Sequence, residues 1–294
     1  MTKAPKQVAT PFLTAGKETT SLFGQVLLGA GLWLFLLLCL APRGWETLLA
    51  GQTIPSLWQN VYLLGLYLWL GICLKLGLQR SGQNKQAWGL GPNWFKHLAP
   101  AFGSGLLIFG CLWLWGCASG QLDLKHSREV FGRLFVAEWP QLLLLSLGSL
   151  IAAWALAAIE EGLFRAWFWQ VWLPVLGSRP LLLMQALLFS AVHGESWCNA
   201  SLALHLFLIG LVLGGLRHVT GRLGASMGLH AGWIWAVLCL NQWGLLTTPQ
   251  GTYNPLHEGA LGVIWLGPLA WIAFQWRKSE AASAKNAAGS ASVA

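Results

Sequence analysis

Residues 147–176 read LGSLIAAWALAAIEEGLFRAWFWQVWLPVL. Thirteen uncharged residues run into Glu160 and Glu161, Arg165 follows four positions after Glu161, and the chain then turns apolar and Trp-rich again. A stretch of this length and polarity reads as a membrane-crossing helix, because about 20 apolar residues rising 1.5 Å each cover the hydrocarbon core of a bilayer. A charge at that depth costs from about 2.5 to more than ~10 kcal/mol. Three ionisable groups in one such segment therefore mark either a functional site or an ion pair that holds helices together. Helix geometry divides their labour. Residues four apart share a face, so Glu161 pairs with Arg165 and each neutralises the other. Neighbours point about 100° apart, which leaves Glu160 without an in-helix partner, free to face a cavity and act on water.

The rest of the chain agrees with a membrane reading. Of its 294 residues 55% are hydrophobic and only 10% are charged, against roughly 25% charged in soluble domains. Twenty Trp and thirty-five Gly fit interfacial belts and close helix contacts. The fold class is all-α, a polytopic transmembrane helical bundle of about eight spanning helices. The net charge of +8 is spread over the connections between apolar runs, where it sets topology and meets anionic lipid. It forms no nucleic-acid face. The six cysteines show no metal or redox spacing, and nothing in them requires a disulfide.

In order, residues 1–20 are a polar N-terminal tail, and residues 21–139 a three-helix membrane region with spans at 22–41, 57–78 and 98–118. Residues 140–241 hold spans four to seven, at 142–173, 181–193, 200–216 and 223–240. Residues 242–278 give an outer loop and a last span at 261–276, and residues 279–294 an Ala/Ser-rich flexible tail. The fourth span would be roughly 48 Å long, so it is tilted, kinked or protruding. Eight crossings put both termini on one side. Lys3, Lys6, Lys17, Arg80, Lys85, Lys96, Arg179, Arg217, Arg222, Arg277, Lys278 and Lys285 fall on that side, which the positive-inside rule makes cytoplasmic.

Two histidines reach the depth of the carboxylates. A hairpin folded at residues 174–180 places His193 and Glu160 both about 20 Å from its turn. His230 lies about 12 Å into span seven, near enough to converge if that helix starts higher or tilts. His205 reads as structural, and His97, His126, His218 and His257 as solvated.

Three motifs on successive spans carry a resemblance: EEGLFR at 160–165, FSAVH at 189–193 and GLHAGW around His230. They resemble the E-E-x-x-x-R, F-x-x-x-H and H-x-x-x-N pattern of the CAAX-processing and bacteriocin-processing intramembrane endopeptidases, the CPBP family, which includes abortive-infection-like members. The resemblance covers residues 140–241. It implies a hydrolase in which Glu160 activates water, His193 assists it, and His230 stabilises the oxyanion or binds a metal, with Glu161, Arg165 and Phe189 supporting. Two positions depart from the pattern. Ile234 stands where the family has Asn and offers no hydrogen bond, a loss worth about a hundred- to a thousandfold in rate for one oxyanion donor. Ala166 replaces the Gly common after the motif Arg.

Glu160, His193 and His230 also form a candidate ligand set for one divalent metal such as Zn²⁺. No H-E-x-x-H pattern accompanies them, and metal-free activation of water needs the same residues, so the cofactor stays open. The expected partners are membrane lipid and a membrane-associated peptide or protein, with no nucleic acid. Two other readings remain: a proton-coupled transporter using the same acid and imidazoles as a relay, and a catalytically silent scaffold or immunity factor, motivated by Ile234.

Overall fold

A computed structural model describes residues 11–40, 56–80, 85–122, 129, 132, 139–193, 197, 199–248, 251–252 and 259–291. Of the polar tail expected at residues 1–20, residues 1–10 lie outside them, as does most of the polar connection at 119–138, whereas residues 11–20 are helical and not a tail. The helices are α1 (Pro11–Leu40), α2 (Ser56–Arg80), α3 (Leu98–Ala118), α4 (Trp139–Glu161), α5 (Trp169–Leu176), α6 (Ser178–Ala191), α7 (Ala200–Thr220), α8 (Leu223–Gln242) and α9 (Leu266–Ala291). A π-helical segment, Gly162–Phe168, joins α4 to α5, and short 3-10 helices precede α3 and α9. The strands are two residues each, Thr247–Thr248 and Gly251–Thr252, paired antiparallel in one small hairpin.

Four helical stretches among the described residues are long and apolar enough to cross a membrane: Trp94–Ala118, Trp139–Leu176, Ala200–Thr220 and Leu223–Gln242. They correspond to four of the eight expected spans. The expected fifth, α6, has 14 residues, about 21 Å of helix, too short for a hydrocarbon core of about 30 Å. Large apolar residues point outward, Ile151 at 73% and Leu144 at 72% exposure among them, as lipid-facing surfaces do. The protein is a helical membrane protein.

Local sequence explains the ends. Pro11 opens α1 and Pro140 lies in the first turn of α4, where a missing N–H costs nothing. Pro174 sits inside α5 and does not end it; the break is at Gly177, with φ 72°, a conformation only glycine adopts cheaply. The run 279–291, expected to be a flexible tail, is helical as far as Ala291, in keeping with its Ala, Glu and Lys content. Glu280 on α9 is exposed and pairs with Arg179 at 2.9 Å. The Trp276 indole N–H is the main influence holding its carboxyl below the usual range, helped by Arg179. His218, expected to be solvated, is half-buried, its ring 3.8 Å from that of Trp276.

The main core packs α3, α7 and α8 together with Phe189 of α6 and Ile272 of α9, and α4 lies against α8. The inner face of α4 is Ser149, Ala153, Ala157 and Glu161, a four-residue repeat of small side chains that ends on a carboxylate. Small residues let backbones approach where lipid supplies no hydrophobic drive. On α8 Gly224, Gly228 and Gly232 repeat the same spacing. A Cβ at each would overlap a carbonyl oxygen of the α3 side, those of Trp94, Leu98 and Phe102 in turn. Helices α3 and α8 thus run in the same direction in backbone contact.

Candidate active site

Glu161 ends α4 on its buried face, and Arg165 follows on the π segment. Both side chains are 0% exposed and their ion pair is 3.0 Å long, the i,i+4 pairing expected from the sequence. The second amino group of Arg165 donates to the Gly210 carbonyl at 3.3 Å. The guanidinium carbon lies 4.5 Å from the centre of the Phe189 ring, a cation–π contact. Phe189 therefore supports Arg165 from α6.

His230 on α8 meets both glutamates. Its Nδ1 lies 3.0 Å from Glu161 Oε1, the oxygen that already accepts from Arg165. A carboxylate engaged in that way only accepts, so Nδ1 carries the hydrogen and the tautomer is fixed. Nε2 then faces Glu160 Oε2 at 3.7 Å, beyond direct hydrogen-bond length. Glu160 Oε2 is buried with no protein partner, while Oε1 accepts a 2.6 Å hydrogen bond from the Tyr67 hydroxyl of α2. Glu161 Oε2 is likewise buried without a hydrogen-bond partner, but both support contacts of Glu161 fall on its Oε1, and the free oxygen that faces a ring nitrogen is Glu160 Oε2.

His193 is placed differently. Helix α6 stops at Ala191, so His193 lies in the bend beyond it. Its Nδ1 donates to the Phe189 carbonyl at 2.7 Å, which leaves Nε2 as its acceptor. The ring packs 4.8 Å from Phe189, whose other side meets His230 at 5.8 Å. Among the described residues His193 makes no ion pair with either glutamate. His230, placed shallower by the sequence, thus reaches Glu160, whereas His193, matched to Glu160 in depth, contacts Phe189 instead.

The proposed metal set is not assembled. No group of three or more His, Cys, Asp or Glu among the described residues is disposed to hold an ion. The reason is geometric: the helix end takes His193 away from Glu160, and Glu161 and Glu160 divide the two nitrogens of His230 between them.

Sequence reading missed three contributors. Tyr67 comes from the second apolar run, where its hydroxyl was the only signal. Arg217, expected to be a topology charge, is buried. It donates to the Arg165 carbonyl at 3.2 Å and the Ala87 carbonyl at 2.8 Å. It thereby satisfies a backbone acceptor in the π segment and ties down the 85–93 turn, where Gln170 also bonds Ala87. Gln185, fully buried on α6, donates to the Gly210 carbonyl at 3.1 Å. His205 is structural as expected, accepting from the Trp265 indole at 3.1 Å. A cavity of about 390 Å³ lined by His97, Ser104, Val212, Ala225 and Leu229 opens on another face of α8 and is lined by neither glutamate.

Residues 138–236 match the family model of the type II CAAX prenyl endopeptidases, Rce1-like. The stretch is an Rce1-like domain of the CPBP family. No curated protein and no solved structure matches the chain. The Rce1-like domain begins just before α4 and ends within α8, so it contains Glu160, Glu161, Arg165, Phe189, His193 and His230 but not Tyr67. The match to a protease family, on a frame of apolar helices, supports a membrane hydrolase.

Proposed function

We propose that the protein is an intramembrane endopeptidase in which Glu160 activates water against a peptide bond of a membrane-associated substrate, either a prenylated CAAX-type or a bacteriocin-like peptide. The observation that carries this reading is the buried, unpartnered Glu160 Oε2 facing His230 Nε2 at 3.7 Å. A water seated beside both atoms would give a proton to Oε2 while its oxygen attacks the substrate carbonyl. The tetrahedral oxyanion then collapses, the C–N bond breaks, and the proton on Glu160 passes to the leaving amine. His230, oriented through Nδ1 by Glu161, faces that water. No step passes through a metal.

The test is cleavage of an internally quenched farnesylated CAAX peptide by protein in nanodiscs. Glu160→Gln keeps the Tyr67 contact but cannot take a proton, and is expected to lower kcat at least ~100-fold with folding unchanged. Undiminished cleavage by that variant would reject the mechanism. A second reading has its own observation. Ile234 packs among the apolar side chains of the core and supplies no donor four positions after His230, so a catalytically silent member is the rival. Activity in Ile234→Asn with none in the natural chain would decide for the rival.

A further inference from the structure

One contact of the reactive carboxylate comes from outside the Rce1-like region. The Tyr67 hydroxyl donates to Glu160 Oε1 across 93 positions of sequence at 2.6 Å, a length typical of a charge-assisted O–H···O⁻ bond. It is the only hydrogen bond that the Glu160 side chain makes among the described residues. The phenol is held there by close approach of α2. Gly71 lies against Ile159, with 3.8 Å from its Cβ position to that side chain, and a Cβ at Gly77 would stand 3.0 Å from the Trp167 indole nitrogen. On the other partner, a Cβ at Gly162 would overlap Leu74. Residues 67, 71, 74 and 78 recur at three and four positions, so Tyr67 sits on the face of α2 that packs on α4 and the π segment.

A glutamate turns about three side-chain bonds, and its two oxygens are interchangeable until something selects one. Here the phenol takes Oε1, and Oε2 is left facing His230. We infer that Tyr67 is a positioning residue that selects Oε2 as the reactive oxygen, so that the site is completed by a helix the Rce1-like region does not contain. The inference rests on the proposed role of Glu160. A packing role alone would need only the ring.

Tyr67→Phe keeps the ring and deletes the donor. The variant, the natural chain and Glu160→Gln are compared in nanodiscs by three readouts. These are the thermal midpoint, kcat and KM on the quenched farnesylated CAAX peptide, and the infrared carboxylate band that vanishes in Glu160→Gln. Tyr67→Phe is expected to keep the midpoint and to hold KM within about twofold. It should lower kcat about 10- to 100-fold, the scale of a misplaced reacting group, and displace the Glu160 band. An undisplaced band overturns the inference, as does unchanged kcat in an active enzyme. A fallen midpoint with full activity per folded molecule overturns it too, because the role would then be packing. If the natural chain does not cleave the peptide, the endopeptidase reading fails on that substrate while the band still decides whether Tyr67 orients Glu160.

Discussion

Arg165→Met is expected to destabilise the folded protein by about 3–5 kcal/mol, the cost of stranding one member of a buried ion pair. Met matches much of the arginine volume, so the loss is of charge and donors and not of packing. Glu161 would keep two neutral neighbours, the His230 imidazole at 3.0 Å and the Ser226 hydroxyl, with no cation and no exposure of its own to water. The Gly210 carbonyl would lose one of its two side-chain donors, keeping Gln185. Glu161→Gln strands the guanidinium in turn and should cost a similar amount. The double variant Glu161→Gln, Arg165→Met removes both charges, and its cost should be well below the sum of the singles. That difference is the coupling between two groups in contact. Denaturant titration in detergent micelles measures all three. A single variant Arg165→Met within 1 kcal/mol of the natural chain would show that the pair is not buried as described. The double variant separates two jobs. It should fold, yet cleave poorly, because His230 has lost the carboxylate that fixes its Nδ1 hydrogen.

That pair was legible from spacing alone, since four residues on a helix return to one face. So was the separation of Glu160 from Glu161, because neighbours on a helix diverge. What spacing did not reveal is the π segment that starts at Gly162. The Arg165 carbonyl within it accepts from Arg217, and no Pro or break in the apolar pattern marks the change of helix type. Such segments recur at functional sites. His193 illustrates a different limit. Its depth was inferred on a helix continuing to residue 193, but α6 ends at Ala191 and the ring turns onto Phe189. Tyr67 lay beyond reach for a third reason. Its partner is 93 positions away, and a tyrosine in an apolar run reads as an interfacial anchor as readily as a hydrogen-bond donor. The glycine repeat on α8 is visible at 224, 228 and 232, but what it packs against is not.

Gly228→Ala is the sharpest test of that packing, and it is expected to cost at least about 2–3 kcal/mol, the upper range for an overpacked core. The methyl group alone would overlap the Leu98 carbonyl oxygen and come within 3.0 Å of the Ala101 methyl. Backbone cannot swing aside as a leucine tip can, so the two helices must separate or rotate. In a bilayer, lipid offers the separated faces an equally apolar contact, and close packing is what holds them together. The repeat makes matters worse, because Gly224 and Gly232 fix the same spacing one turn to either side. Gly103 on α3 supplies the control. A Cβ there meets nothing within 4 Å, and Gly103→Ala should be neutral or stabilising by up to ~1 kcal/mol through helix propensity. In detergent the thermal midpoint of Gly228→Ala therefore falls while that of Gly103→Ala holds or rises, although the chemical change is identical. Equal midpoints would mean that α3 and α8 are not in backbone contact. The same displacement reaches the chemistry, since His230 sits two residues beyond Gly228. Any rotation of α8 that relieves the overlap carries its ring away from Glu161 and Glu160, so surviving Gly228→Ala protein should bind substrate and turn it over slowly.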